Sequence, residues 1–352
     1  MIQQKSVDGG LTIVIPTYNM ATFLPGLWQS LARSGITEIA DEVLFVNDGS
    51  TDDTKDALAR LAGSADPPTD KVKVLNLPSN VGRFRARLAG ARSAKSPRIL
   101  FLDTRLDLPN DLGSSVARVA REYPAVVGTV DIDVSRNVYC LYWDRSHRFI
   151  FRRHYAAAVR PITLRPDNFD QYLKGTTVFL CSKQHFLDVC ERLDSQIVLN
   201  DDTLLMRSMV DSTPIVISPD VRVGWVPRET TWAFLARLWE RGPSFVEYHV
   251  FDRRSKFFYV VMLALVALVL LALLLAVRPI VGLEIIFGCV LAVALSTSLF
   301  AKSPAEFVKL LPLHVAVVFV FGTGVLRGLA VNSVRAIRGT LPHSKSDEEL
   351  RK

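Results

Sequence analysis

The sequence predicts an α/β domain on a mostly parallel sheet, followed by carboxyl-terminal helices that cross a membrane. Through roughly the first 130 residues, short β-branched runs alternate with longer stretches of helical periodicity. Polar, acid-bearing loops follow the carboxyl ends of those runs. From Phe257 onward, long apolar runs replace the alternation.

LTIVIP (11–16), EVLFVN (42–47), KVKVL (71–75), RILFLD (98–103) and AVVGTV (125–130) read as strands. Between them, Ala21–Ser34, Asp52–Ala62 and Gly82–Ala94 read as helices. Such βαβ units bind ligands outside the carboxyl ends of their strands, so the loops of interest are PTYN (16–19), NDGSTDDT (47–54) and DTRLDLP (103–109). NDGSTDDT also reads as a well-capped helix start, with Ser50 or Thr51 as cap and Asp52 and Asp53 in the first turn. That reading suits Asp48 less, because a residue ending a buried strand faces the ligand crevice. Between 131 and 230 the pattern is less regular and rich in aromatics. GTTVFL (175–180) reads as a strand, and LNDDTLLMRSMV (199–210) as a loop feeding a helix, with Asp201 and Asp202 side by side at its start. A capping role explains one of those two acids. TTWAFLARLWERGPSFVEYHV (230–250) is an amphipathic, aromatic and basic stretch suited to a membrane interface.

Phe257–Val277 is an uncharged run of 21 residues. At ~1.5 Å per residue, such a run spans a hydrocarbon core of ~30 Å. Ile280–Phe300, interrupted by Glu284, is a second run. Leu310–Val331, with His314 and Arg327, is a third that also reads as re-entrant or interfacial. The start MIQQKSVDGG is polar and LTIVIP is too short for a signal-peptide core, so the first 250 residues are expected in the cytoplasm. The basic run at 252–256 agrees, by the positive-inside rule, with a multi-pass protein of the inner (plasma) membrane. Three spans would place the carboxyl tail outside, whereas Arg335, Arg338, Lys345, Arg351 and Lys352 argue for inside. The net charge of +7 is concentrated beside the apolar runs, making membrane lipids, not nucleic acid, the expected partner. Four cysteines without CxxC spacing indicate neither a disulfide framework nor a zinc site.

In order along the chain, IVIPTYN (13–19), VNDGSTDDT (46–54), NVGRFRARLAGARSAKSPRILFLD (80–103), KGTTVFL (174–180) and NDD (200–202) resemble the family-2 glycosyltransferases. That family's nucleotide-diphospho-sugar-binding, Rossmann-like fold is often called GT-A. The resemblance covers roughly the first 205 residues, and the rest looks like the membrane-anchored branch that builds bacterial exopolysaccharides and related glycans. RLWERG (237–242) is similar to the QxxRW signature of processive synthases, but Leu235 and Leu238 replace its Gln and Arg, which puts processivity in doubt.

The resemblance implies a catalytic domain over 1–230, an interfacial segment over 231–256, a transmembrane region of two to three helices over 257–334 and a polar tail over 335–352. It implies an inverting transfer of sugar from a nucleotide-diphospho-sugar donor to a hydroxyl on a lipid-linked or growing glycan acceptor. The alternatives are a polyprenyl-phosphate acceptor, or a catalytically silent membrane scaffold. Pro16, Thr17, Tyr18, Asn19, Asp48, Asn80, Gly82, Arg87, Asp103 and Arg105 would surround the donor. Among them, Asp48 would hydrogen-bond the nucleoside, and Asp103 would lie near the diphosphate, directly or through Mg²⁺ or Mn²⁺. Asp202 would be the general base, its pKa raised by its neighbour Asp201. Arg237, Trp239 and Arg241 would lie near the acceptor and membrane. The family's usual DxD motif reads Asp103-Thr104-Arg105 here, which leaves three options open. Asp103 alone holds the cation, Arg105 supplies charge to the diphosphate, or Arg105 turns away to pair with Asp107.

Overall fold

The computed structural model describes residues 7–63, 69–157, 159–193, 201–250 and 256–337. The basic run at 252–255, Asn200, and the tail residues Arg338, Lys345, Arg351 and Lys352 lie outside the described residues, as do the side chains of Asp201, Lys256 and Arg335. In chain order the elements are β1 (Leu11–Thr17), α1 (Leu24–Arg33), α2 (Ile36–Ile39), β2 (Glu42–Asn47), α3 (Thr54–Ala62), β3 (Val72–Asn76), α4 (Arg83–Ser93), β4 (Arg98–Leu102), β5 (Leu106–Asp107), α5 (Leu112–Glu122) and β6 (Ala125–Asp131). They continue as α6 (Val138–Ile150), α7 (Arg152–Ala157), β7 (Ile162–Leu164), β8 (Val178–Ser182), α8 (Lys183–Leu193), α9 (Asp201–Val210), β9 (Ile215–Trp225), α10 (Thr231–His249), α11 (Lys256–Val277), α12 (Pro279–Ser296) and α13 (Pro304–Ile337). The chain divides into two compact units, the first comprising Met1–Asp133, Phe151–Asp194 and Asp201–Pro227. The second takes the remainder, so α6 belongs with the carboxyl-terminal helices although it lies within the expected 1–230 domain.

The first unit is built on a nine-stranded sheet with order β3-β2-β1-β4-β8-β6-β9-β5, β7 pairing on β9. The half formed by β3, β2, β1 and β4 is parallel, and β2 is buried along its whole length. Continuous apolar strands of this kind need cover on both faces. Leu11, Ile13 and Ile15 enter one core with Leu24, Leu27 and Leu31 of α1 and Val116 of α5. The alternate residue Val14 turns to the opposite face, where α4 approaches closely. A Cβ on Gly90 of α4 would lie 2.5 Å from Val14 and 2.9 Å from Val46, so this helix sits against the sheet only because position 90 has no side chain.

The other half departs from the mostly parallel expectation. β8 runs antiparallel to both β4 and β6, β6 and β9 are parallel, and β5 and β7 pair antiparallel with β9. The sheet is mixed because the chain reaches β8 after the excursion through α6, α7 and β7, and enters between β4 and β6 from the far end. β9 was not legible because Pro219 and Asp220 interrupt its alternation where the β6 pairing shifts register.

In the second unit, α6 and α10 pack on α13. Thr230 caps α10 by accepting from Ala233 N at 3.2 Å. Tyr142, Phe234, Leu238, Leu310, Leu313 and Val317 form one cluster, and Val246, Val250 and Val261 form another, joined by Val325 and Leu329. Gly242 and Gly324 allow a close backbone crossing of α10 and α13, since a Cβ on Gly242 would lie 2.1 Å from the Gly324 carbonyl carbon. Among the described residues three helical stretches are long and apolar enough to cross a membrane: Phe257–Val277, Pro279–Leu299 and Pro304–Val334.

Candidate active site

The carboxyl ends of β1, β2 and β4 converge on a cluster of charged and hydroxyl side chains. Arg87, on the second turn of α4, is its centre, with a side chain only 2% exposed. One guanidinium nitrogen donates to Asp103 Oδ1 at 3.0 Å, and the other donates to Asp202 Oδ1 at 3.0 Å. Thr177 Oγ1 donates to Asp103 Oδ2 at 3.0 Å, and Thr176 Oγ1 donates to Asp202 Oδ1 at 2.5 Å. Arg83 stands 3.9 Å from Asp202 Oδ2. The antiparallel register explains the threonines: Leu102 faces Val178, and the Asp103 N–H donates to the Thr177 carbonyl, so the residues just outside each strand meet.

A second group ties the donor-side loops together. Asp48, buried at the end of β2, accepts from Val81 N at 2.7 Å and Gly82 N at 3.1 Å. Gly49 has φ +61°, and a Cβ there would lie 2.3 Å from the Ser79 carbonyl carbon, so the two loops touch through backbone. Asn19, itself at φ 51°, receives the Thr51 N–H at 2.9 Å, and its own N–H reaches Ser50 Oγ at 3.1 Å. The Pro16 carbonyl accepts from Thr104 Oγ1, Thr17 is buried, and Tyr18 and Asn80 face solvent. The expected cap at Ser50 or Thr51 is not formed: α3 begins at Thr54 with Asp53 at its N-cap position, and Asp52 accepts from Thr54 N and Ala21 N.

Arg105 lies in neither group. Its guanidinium donates to the Val226 carbonyl at 2.6 Å and sits over the Phe23 and Trp225 rings. Asp107 is engaged by Ser30 and Arg33, so the pairing of Arg105 with Asp107 considered from sequence is not formed. Arg237, Trp239 and Arg241 belong to the second unit. There Arg237 pairs with Glu240, Arg327 lies over the Trp239 ring, and Arg241 lies over Trp143. Beside it, His147 is lowered to about 4, by burial and then by Arg241.

The expected cation ligand is Asp103, and the donor set around it does not suit a resident divalent ion. A hard ion wants about six oxygen ligands. Here the motif itself offers one carboxylate with both oxygens already engaged, and the nearby Asp202 is held by Arg87. The other position of the motif holds a guanidinium turned toward Phe23 and Trp225. Among the described residues no group of three or more His, Cys, Asp or Glu is placed to hold a metal.

Of the residues named from sequence, the structure brings Arg87, Asp103 and Asp202 together, with Asp48 in the neighbouring group; that Arg87 joins two acids, and the part of the two threonines, were not foreseen. The available signal was the TT pair directly ahead of the apolar strand VFL.

Residues 12–171 match the model of glycosyl transferase family 2. The undecaprenyl-phosphate 4-deoxy-4-formamido-L-arabinose transferase of Yersinia pestis is 34% identical over 121 residues, and its namesake from Sodalis glossinidius 33%. The matched stretch spans 34% of this chain and 36% of those relatives' own length. A mannosyltransferase from Pyrobaculum calidifontis, solved with GDP-Man and Mn²⁺, superposes with a TM-score of 0.51 at 16% identity, over 93% of this chain and 86% of that one. Its architecture is the expected GT-A fold, and the ordered motifs, the strand-end acids and the matched model agree. Through residues 12–171 the chain is similar to glycosyl transferase family 2.

Proposed function

We propose that this protein is a membrane-anchored, inverting glycosyltransferase that moves a sugar from a nucleotide-diphospho-sugar to a lipid-linked acceptor at the inner membrane. The observation that carries the reading is the Asp103–Arg87–Asp202 bridge at the strand ends of a family-2 domain, in a chain that continues into long apolar helices. In this proposal Asp48 and the backbone at 81–82 shape the nucleoside side, Arg87 orients both acids, and Asp202 faces the acceptor. Any divalent ion arrives on the donor's diphosphate and is not a resident of the protein. Arg237, Trp239 and Arg241 are assigned to the membrane side.

Two acceptor classes remain, a glycan hydroxyl and the phosphate of a polyprenyl carrier. The surroundings of Asp202 favour the phosphate. Its Oδ1 already receives two hydrogen bonds, and beside Oδ2 stands the half-exposed Arg83, whose guanidinium is within reach of an incoming acceptor. An anionic acceptor needs no proton removed and is attracted by that charge. The relatives' names point to the same carrier class.

The test incubates full-length protein with labelled nucleotide-sugars and either undecaprenyl phosphate or a lipid-linked glycan. An acid-labile, lipid-soluble sugar phosphate supports the phosphate reading, and an acid-stable glycoside supports the hydroxyl. Asp202→Asn adds a second readout. Loss of a general base costs ~10²–10⁴ in rate, which is expected only if a hydroxyl must be deprotonated. Failure to transfer from any donor would refute the enzyme reading and return the silent scaffold.

A further inference from the structure

Length and composition make α13 a candidate span, but its contacts place both of its halves at one level. α11 and α12 reverse direction about Arg278, and at that turn they approach so closely that a Cβ on Gly282 would lie 2.5 Å from Leu275. The two open ends of a spanning hairpin, near Lys256 and Ser296, must lie on the same face of the bilayer. α13 touches both ends. Ser296 Oγ lies 2.9 Å from His314 Nε2, and Val261, in the second turn of α11, shares its cluster with Val325 and Leu329. His314 and Leu329 are about 22 Å apart along a helix at 1.5 Å per residue. A third crossing would separate them by most of the bilayer thickness, whereas both meet the hairpin near its open ends.

The partner of α13 agrees. α10 runs alongside it in the same direction, Phe234 and Leu238 clustering with Leu310, Leu313 and Val317, then Gly242 against Gly324, then Pro243 and Val246 against Gly328. α10 carries Arg237, Glu240, Arg241 and Glu247, and each charge placed at a bilayer centre is costly. A helix so charged does not accompany a neighbour through the hydrocarbon. Exposure along α13 is one-sided as well: Leu310, Leu313, Val317, Gly324, Gly328 and Asn332 are buried, while Val308, Phe319, Leu326 and Val334 are exposed. α11 differs, with exposed residues all around it.

We propose that α13 does not cross the membrane. It lies with α10 in the interface on the side where the α11–α12 hairpin opens, and its Val308–Phe319–Leu326–Val334 stripe contacts the lipid of that leaflet. Of the described helices only α11 and α12 cross the membrane, and the chain leaving α13 is on the same side as the chain entering α11. This places Arg335, Arg338, Lys345, Arg351 and Lys352 on the side that holds residues 252–256, in accord with the positive-inside rule. The proposal rests on the hairpin spanning the membrane, as the proposed function requires.

The experiment labels full-length protein with a membrane-impermeant maleimide in sealed vesicles of each orientation, with unsubstituted protein as background. Arg278→Cys reads the anchor and Lys352→Cys reads α13. Labelling of the two from opposite faces is expected. Labelling of both from the face opposite residue 256 would overturn the in-plane helix and leave the anchor standing. Labelling of Arg278→Cys from the face of residue 256 would remove the spanning hairpin and the proposal with it. Spin labels at Phe319→Cys and Leu326→Cys give a further check: equal depth is expected, and a depth that grows steadily along α13 would overturn the proposal.

Discussion

Replacing Arg87 with methionine removes the one cation shared by two acids while keeping most of the side-chain volume. In the native protein the guanidinium is 2% exposed, and the Asp103 and Asp202 side chains are 32% and 27% exposed. Removing one partner of a fully buried ion pair costs about 3–5 kcal/mol. Water reaches both carboxylates here, so a smaller loss of about 2–3 kcal/mol is expected for Arg87→Met. Arg87→Lys keeps the charge but not the fork, and should recover only part of it, because an ammonium cannot hold both acids in the same planar geometry. Urea unfolding of full-length protein in detergent, followed by tryptophan fluorescence, measures the loss. The sign of a double substitution is the sharper test. With Arg87 gone, Asp202→Asn should raise stability, since it relieves a negative charge that has lost its closest cation and keeps only the more distant Arg83, whereas in native protein it should lower it. Transfer activity should fall in Arg87→Met through both donor affinity and turnover. Native stability and native turnover in Arg87→Met would refute the bridge as the organising contact of the site.

Three other outcomes are expected. Without donor, the protein should bind Mn²⁺ no better than about millimolar, the weakness expected of one carboxylate already engaged, and tight binding by Mn²⁺ electron paramagnetic resonance would contradict the donor-set argument. Gly90→Ala should cost about 1–3 kcal/mol by overpacking against Val14 and Val46 and reduce turnover by displacing Arg87 one turn away, and native values for both would refute the close approach. Lys174, over the Phe169 ring, is lowered from 10.5 to about 8, chiefly by burial, with Asp170 opposing and Arg207 assisting. Below pH 8 both folded and unfolded chains hold that proton and the fold carries the whole penalty, about 3 kcal/mol. Between pH 8 and 10.5 the folded lysine sheds its proton first, so its contribution makes stability rise with pH, and Lys174→Met should abolish that rise in urea titrations.

The parallel half of the sheet was legible because each strand there is a short apolar run closed by a turn signal, and local pattern decides such elements. β9 was not, since Pro219 and Asp220 break its alternation at a register shift that only the pairing with β6 requires. In the site, Asp48, Asp103 and Asp202 could be read as acids at strand or helix ends. What they touch could not. Asp48 serves backbone amides of a loop 33 residues on, and Arg87 and Asp202 meet across 115 residues. Arg105 shows the same limit, because its partners Phe23, Trp225 and Val226 come from distant turns.

The antiparallel insertion of β8 bears on the order in which the protein is made. A chain emerging from the ribosome supplies β1 to β4 within its first 102 residues, and these can pair as soon as they appear. Asp103 and Arg87 are then present, but Thr176 and Thr177 arrive only with β8, and Asp202 later still with α9. Until that moment β4 has an open edge where β8 will sit, and Arg87 has one acid instead of two. Such an unfilled edge is a template for the wrong strand, and long-range pairing of this kind is slow to close. The nascent protein thus lacks the assembled cluster around Arg87 until β8 zips into the middle of its sheet. A gene truncated after residue 171, where the family match ends, would yield a half-sheet with an exposed seam and without Thr176, Thr177 and Asp202.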